Sequence, residues 1–564
     1  MIDFSLLSPS GNAAVPLPNT GIPSTLTPNQ PEKNLRELPT PLSKPLIQRA
    51  LPRPIPQIQV DESNQMDAFI LQKVTIKGNT AIPTAALEKY YAPLLNKKIT
   101  KREILSVVQS LTQYYQSEGY ILSFAQIYLL DTTQGIAGIE IIESALTTVK
   151  LEGVEALTKL PIVAETQEKI LAIKPFRQQD LEKVLLTLKS LPNIIVSSFV
   201  QKSNAVNEKA YLVLSLDSTK SWNGRSSIDN YGSNFSGPWL INTSLSRSAV
   251  FNPLDSVTGT FQTATDSQEL TFGSIGYRRP VGTAGTIMNI TAARTWSEPG
   301  YTLKDAGVGS INSSLVVDFQ YPYLRTRDRN FTLTGGAAVR DAQTKSFGTR
   351  ISRDKVRSVN AGASFDWADN NGGTSLAQVQ FFQGIPILGG TANNNAIASR
   401  ANGRVDFSKV TTFLSRTQIL PQNFSLLVAT EGQYALTQLL SIEEYSYGGR
   451  QFGRGYNGGE ISGDHGFSAL FELQRPITTN ISSTILINPQ LFASYDFGSI
   501  WRIDTDTRDR QLTGASVAGG IRMGLWRSAR VELQVAKPLT RGSSATSEED
   551  AKDWRTFISM SLGW

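Results

Sequence analysis

The sequence predicts a membrane all-β barrel of about 16 antiparallel strands, preceded by two small α+β domains. Three observations carry that prediction. From Ser221 to Trp564 the chain divides into segments of about ten residues that alternate in polarity, separated by Gly/Asn/Asp/Ser-rich turns. Ahead of that region, one strand–helix–helix–strand–strand pattern occurs twice. No apolar run approaches the roughly 18 residues that a membrane-spanning helix requires.

Residues 1–64 read as a proline-rich linker. They hold 12 of the 27 prolines, including the run Leu51-Pro-Arg-Pro-Ile-Pro56. Proline fixes φ and removes a backbone donor, so extended, solvated conformations are favoured. Only Glu32 to Glu37 has the makings of a short helix.

Residues 65–145 read as the first α+β domain. Phe69 to Ile76 is β-prone and closes on Gly78-Asn79. Pro83 to Leu95 is a first helix with proline in its opening turn. Thr100-Lys-Arg-Glu103 then has capping-box spacing. The helix that follows sets Ile104, Val107, Val108, Leu111, Tyr114 and Tyr115 on one face, which with Tyr120 reads as core. Gly119 ends it, and strands Phe124 to Leu130 and Gly135 to Ile142 complete the unit. Residues 146–220 repeat the order: a strand from Thr148 to Leu151, helices from Pro161 to Ala172 and Gln178 to Leu191, then strands Ile194 to Val200 and Ala210 to Leu216. Two units of one element order suggest duplicated small domains.

In residues 221–564 the helical period disappears. Val359, Ala361, Ala363, Phe365 and Trp367 share one face, while Asn360, Gly362, Ser364 and Asp366 take the other. The last segment sets Trp554, Thr556, Ile558, Met560, Leu562 and Trp564 on one face. Aromatics gather at segment ends, as in Trp239, Phe251, Tyr321, Tyr323, Trp501, Trp526, Trp554 and Trp564, in the manner of interfacial girdles. The opposite face is small and Gly/Ser-rich, which suits a wet lumen. A soluble sandwich gives the same alternation strand by strand, but these 344 residues leave about 21 per strand and loop for 16 strands.

Composition removes several functions. Net charge is only +6 and no long Lys/Arg block occurs, so nucleic acid is not an expected partner. Without cysteine there is neither disulfide nor thiolate metal site, and a single histidine, His465, rules out a multi-histidine metal site. No GxxxxGK[ST] motif is present, and no cofactor is expected. The opening MIDFSLLSPSGNAAVP lacks the basic and apolar regions of a signal peptide, so the numbering is expected to begin on a processed or truncated form.

Between Leu440 and Phe467 lies a Gly-rich loop (about 440–466) centred on Phe452-Gly453-Arg454-Gly455-Tyr456. Downstream, Leu491-Phe-Ala-Ser-Tyr-Asp-Phe-Gly-Ser499 places Phe492, Asp496 and Gly498 in an F-x-x-x-D-x-G pattern, and Asp229-Asn-Tyr-Gly232 opens the barrel region. This set resembles the outer-membrane transporters of two-partner secretion, the haemolysin secretion/activation (TpsB) family of the Omp85 superfamily. The resemblance covers about Phe69 to Trp564, with both small domains similar to POTRA domains. Where the family carries a (V/F)RGY-type motif, this chain has Phe452-Gly453 before Arg454. The resemblance implies that the loop folds into the barrel and gates it, that the strand motif is its partner on the wall, and that Trp564 is the C-terminal signal for the barrel-assembly machinery.

Asp496 has opposite parity to Leu491, Ala493, Tyr495 and Phe497, so its carboxylate faces the lumen if those face lipid. Arg454 between two glycines can extend from a tight tip, and an Arg–carboxylate pair gives geometric specificity. The expectation is that Arg454 meets Asp496 inside the barrel. About five strands follow the loop, near 467, 485, 512, 529 and 553, which sets the loop before the twelfth strand. Blander readings stand beside these: Arg454 as an exposed loop residue, Asp496 as a pore-lining group and Trp564 as a girdle residue.

The function expected is export, with possible activation, of an unfolded partner exoprotein, bound by strand addition in the periplasmic domains and passed through the pore. By resemblance the partner is a TpsA-like filamentous-adhesin or haemolysin-like β-helix. The chain is expected to be a monomer embedded in outer-membrane lipid. The alternative is an Omp85-type insertase. A hydrolase built on His465, Asp464, Ser462 and Ser468, and a plain diffusion pore, are the remaining readings; no nucleophile-elbow motif frames the first. A pore-plugging N-terminal helix is not expected, because the proline-rich start leaves little room for it.

Overall fold

The computed structural model describes residues 38–39, 68–202, 210–477, 486–503, 511–526, 528–540 and 553–564. The short helix considered at Glu32–Glu37 and any pore-plugging helix fall outside the described residues. The chain divides into two compact units, one holding the α+β region that ends at Thr219 and the other the barrel strands.

In the first unit, strands β1 (Lys73–Lys77), β2 (Phe124–Asp131) and β3 (Ile136–Ile142) form a sheet in the order β1-β3-β2, with β1 parallel and β2 antiparallel to the central β3. The second sheet, of β4 (Thr148–Gly153), β5 (Ile194–Lys202) and β6 (Ala210–Ser218), repeats this arrangement as β4-β6-β5. Helices α1 (Thr84–Glu88) and α2 (Lys101–Ser117) belong to the first sheet; α3 (Pro161–Leu171) and α4 (Gln178–Lys189), with a single turn at Glu155–Thr158, belong to the second.

Helix α2 begins on the expected capping box, the Thr100 N–H donating to Glu103 Oε2 at 2.7 Å. It buries Ile104, Val107, Val108, Leu111 and Tyr115, with Tyr114 and Tyr120 packed at the edge of the same core. The Tyr115 hydroxyl donates to Glu143 at 3.0 Å. Burial, and then that carboxylate, raise the phenol above its ordinary range. Two elements differ from expectation. Phe69 to Ile76 is not one strand but two, Phe69–Ile70 paired with Lys98–Ile99 and β1 in the three-stranded sheet. Instead of one helix from Pro83 to Leu95, the chain makes α1 and a separate 3-10 turn, Ala92–Leu94. Pro93 lacks an N–H and would collide with the carbonyl four residues back, so the α-helix cannot run through it.

The second unit is a closed barrel of sixteen antiparallel strands, from β7 (Trp222–Asp229) to β22 (Arg555–Gly563). The five after the long loop are β18 (His465–Pro476), β19 (Leu486–Trp501), β20 (Gln511–Leu525), β21 (Ala529–Pro538) and β22, so that loop does precede the twelfth strand. Closure is made where β22 pairs with β7, Ser559 facing Asp229 and Gly563 facing Arg225. Beyond that register the backbones of Trp564 and Gly224 exchange two hydrogen bonds of 2.9 Å. The Asn230 side chain adds two more, to the Thr556 carbonyl at 2.9 Å and the Ile558 N–H at 2.7 Å.

Polarity is inverted relative to a soluble protein. On β22, Ile558, Met560 and Leu562 are exposed, whereas Ser559 and Ser561 are buried. On β19, Leu491 and Tyr495 point outward while Ser494 and Asp496 point in, Asp496 having no exposure at all. All eight aromatics named above are exposed at or beside strand ends. This is an apolar belt around a polar lumen. It predicts that Leu533→Arg, in the outward row of β21, costs about 2–4 kcal/mol in a bilayer, read by guanidinium unfolding of liposome-inserted protein. On a water-facing surface the same change would stay within about 0.5 kcal/mol.

Candidate functional site

The site is the loop between β17 (Ser425–Ala435) and β18, residues 436–464, which folds back into the barrel. A short hairpin, Tyr445–Tyr447 against Ile461–Gly463, gives it a backbone. Tyr445, Tyr447, Phe452, Tyr456 and Ile461 pack there with Phe413, Leu470 and Ile500 of the barrel strands, and Leu38 lies against the same cluster.

The tip is seated by what glycine leaves open. Gly453 has φ near +80°, a conformation that side chains disfavour. Its N–H points at Asp496 Oδ1, 2.8 Å away. The Tyr447 ring lies against Gly498 and Gly514 on neighbouring strands, where a Cβ would come within 2.3 and 2.4 Å of it respectively. With that room, the Tyr447 hydroxyl donates to Asp496 at 2.8 Å. Ser516 completes the carboxylate at 2.7 Å, and the Arg454 N–H approaches at 3.5 Å. Next along, the Gly455 N–H donates to Ser516 Oγ at 3.1 Å, and the Tyr456 hydroxyl contacts Ala515 and Thr540.

The guanidinium of Arg454 does not pair with Asp496. It donates to Glu472 Oε2 at 2.6 Å and to Ser494 Oγ at 3.0 Å. The reason is reach. The backbone at 453 and 454 already rests on Asp496, so the extended side chain arrives at the next lumen-facing row. There Glu472 and Ser494 are register partners, two residues along from Leu470 and Asp496, or about 6.7 Å on a strand. Neutral donors satisfy Asp496 instead.

Glu472 is shared. Arg522 holds it through two contacts of 2.6 and 3.1 Å and holds Glu532 at 2.8 Å; Glu532 in turn accepts from the Tyr231 hydroxyl at 2.8 Å. Phe492 lies beneath this chain, its ring centroid 3.8 Å from Arg522 and 5.6 Å from Arg454. Thus Phe492, Asp496 and Gly498 all meet the loop, each in a different way: a ring under cations, an acceptor, and a gap. Tyr231, from the opening motif, stacks on Phe557 at 4.7 Å, and Trp564 stands outside, over Gly224 at the closing seam.

A second charged group surrounds the loop's root. Glu443 accepts from Arg340 at 3.0 Å and Lys409 at 2.8 Å. Arg400 takes Asp464 through two contacts of 2.7 and 3.1 Å and Glu444 at 2.7 Å. Sequence reading missed Arg340, Arg400, Lys409, Glu443 and Glu444 along with Glu472, Arg522, Glu532 and Tyr447, and named Asp464 only beside His465. For Arg340, Lys409, Glu472, Arg522 and Glu532 the available signal was charge on the lumen-facing parity of barrel strands otherwise lined by Gly and Ser. His465 and its neighbours do not assemble for catalysis. Its ring stacks on Tyr434, Asp464 is held by Arg400, and Ser462 and Ser468 bond to Glu444 and Tyr445.

Residues 208–523, more than half the chain, match the family model described as haemolysin secretion/activation protein ShlB/FhaC/HecB, and residues 69–144 match the POTRA domain, ShlB-type. The heme/hemopexin transporter protein HuxB of Haemophilus influenzae is 21% identical over 491 residues, 84% of each chain. The solved structure of CdiB from Escherichia coli superposes with a TM-score of 0.67 at 18% identity, covering 91% of this chain and 93% of that one. BamA from Haemophilus ducreyi, lacking POTRA domains 1–3, gives 0.51 at 11% identity, covering 88% and 100%. The chain therefore belongs to the haemolysin secretion/activation family, transporters of two-partner secretion that sit in the bacterial outer membrane with their POTRA region in the periplasm and export a partner protein.

Proposed function

We propose that the loop at 436–464 is the gate of this transporter, with Arg454 its latch and Glu472 and Asp496 the two wall groups that hold it. The observation that carries the reading is a loop with a buried arginine tip, seated across the polar lumen of a barrel large enough to conduct when emptied. An unfolded partner exoprotein passes once the tip withdraws. Its folding outside the cell supplies the direction, in keeping with the absence of a nucleotide-binding motif.

Both α+β units act as POTRA domains in this reading, the second supported by its identical sheet topology. Each exposes an edge strand with apolar side chains: Phe124 and Tyr128 on β2, and Ile195 and Phe199 on β5. An extended segment of the partner adds there as a further strand. The partner is a TpsA-like exoprotein, a β-helix of the filamentous-adhesin or haemolysin kind, which the transporter exports and activates. Trp564 serves the barrel-assembly machinery, and the mature protein is a monomer. The insertase alternative has only likeness of fold to BamA behind it.

Export is measured as the partner released to the medium, with barrel closure checked by heat-modifiable migration in gels. A loop without its latch cannot reseat between passages, so Arg454→Ala reduces export at least about tenfold, equivalent to 1.4 kcal/mol, while the barrel still closes. Unchanged export removes the latch role. Phe199→Lys on the β5 edge weakens capture of the partner and leaves pore conductance unaltered. If conductance moves with capture, the edge is not a separate docking surface.

A further inference from the structure

At its two ends the loop is charged with opposite sign. The tip offers a cation, Arg454, to the wall carboxylate of Glu472. The root offers three carboxylates, Glu443, Glu444 and Asp464, to three cations outside the loop: Arg340 on the strand Arg329–Ser346, Lys409 on the strand Ser408–Ile419, and Arg400 in the segment 385–407. All six are buried, three cations against three carboxylates. The root is further tied by Gln433, which donates to the carbonyls of Glu443 and Asp464 at 3.1 Å each, and by the Ser441 N–H on Ser399 Oγ at 3.0 Å.

The two ends differ in what release would leave behind. When Arg454 withdraws, Glu472 keeps both contacts to Arg522, so no wall carboxylate is stranded. When the root withdraws, Lys409 loses the carboxylate that neutralises it between the rings of Phe382 and Phe407, and Arg340 loses the same group. A buried charge deprived of its partner is strongly unfavourable. The tip is built to let go and the root to hold.

We propose that the root cluster is a hinge clamp that keeps the loop docked in the barrel while the tip releases, with Arg400 as the positioning residue that ties segment 385–407 to it. This deepens the gating reading and rests on it. The clamp lets the loop return after each passage, because only the tip has to find its seat again.

The test is single-channel conductance in planar bilayers, measured on the full chain without a partner, so a failed export assay would count against the transport reading alone. Arg454→Ala gives partial openings, the root being intact. Arg454→Ala with Arg400→Gln frees the whole loop and raises conductance about threefold or more above either single change, toward that of an unplugged 16-stranded pore. The chain has no cysteine, so Ser399→Cys with Ser441→Cys can be added to the double variant as a defined cross-link. Oxidation then returns conductance to the level of Arg454→Ala, and reduction restores the larger pore. A merely structural defect would not reverse in this way. Should the double variant fail to close its barrel, Glu444→Gln replaces Arg400→Gln with the same expectation. Conductance no greater than that of Arg454→Ala, or unaffected by the cross-link, overturns the proposal.

Discussion

Inside a hydrocarbon layer every backbone N–H and C=O must find its partner within the protein, and a sheet meets that demand only by closing on itself. The pairing of β22 with β7 is therefore the contact on which the rest depends. It is short, five register pairs with the Trp564–Gly224 exchange beyond them, and Asn230 extends it with two side-chain bonds to the β22 backbone. Closure fixes the parity of all sixteen strands at once. Every second side chain must then tolerate lipid and every other one the lumen, which is why apolar residues are the exposed ones and Ser, Asp and Glu the buried ones.

A lumen built this way can hold charge that a soluble core could not hold without great cost. Isolated buried ions are expensive, and here they occur as neutralised groups: Arg454, Glu472, Arg522 and Glu532 at the tip, and three cations with three carboxylates at the root. Shape and charge act together. Tyr447 reaches Asp496 only because Gly498 and Gly514 give its ring room, and the reach of Arg454 to Glu472 follows from its backbone already resting on Asp496. Glycine content in this part of the sequence is thus a record of close packing as well as of turns.

Much of the architecture was legible because it depends on local periodicity. Alternation located the barrel, the count of later segments placed the loop before the twelfth strand, and parity turned Asp496 inward. The capping box at Thr100 and the strand–helix–helix–strand–strand order were legible for the same reason. What could not be read was cross-strand register. Nothing local says that Glu472 stands opposite Ser494, one row beyond Asp496, and so the sequence offers the motif aspartate as the partner of Arg454. The root cluster was further out of reach, since its members span Arg340 to Asp464 and meet only because the loop folds inward. The break at Pro93 was visible in principle, because proline cannot continue an α-helix.

The sharing of Glu472 bears on how firmly such a loop can be held while remaining able to move. Removing one partner from a buried ion pair typically costs about 3–5 kcal/mol, because the other charge is left bare. Glu472 is not left bare, since Arg522 grips it with two contacts whether or not Arg454 is present. Asp496 likewise keeps the wall hydroxyl of Ser516 when Tyr447 and the Gly453 N–H depart. What the tip forfeits is then a handful of hydrogen bonds to charged acceptors, each worth about 1.5–3 kcal/mol, with lumenal water available as a substitute. A lone Arg454–Asp496 pair would have concentrated that energy in one all-or-none contact. Spread over two wall carboxylates that retain their other donors, it would yield in steps, which is the behaviour the proposed gate requires.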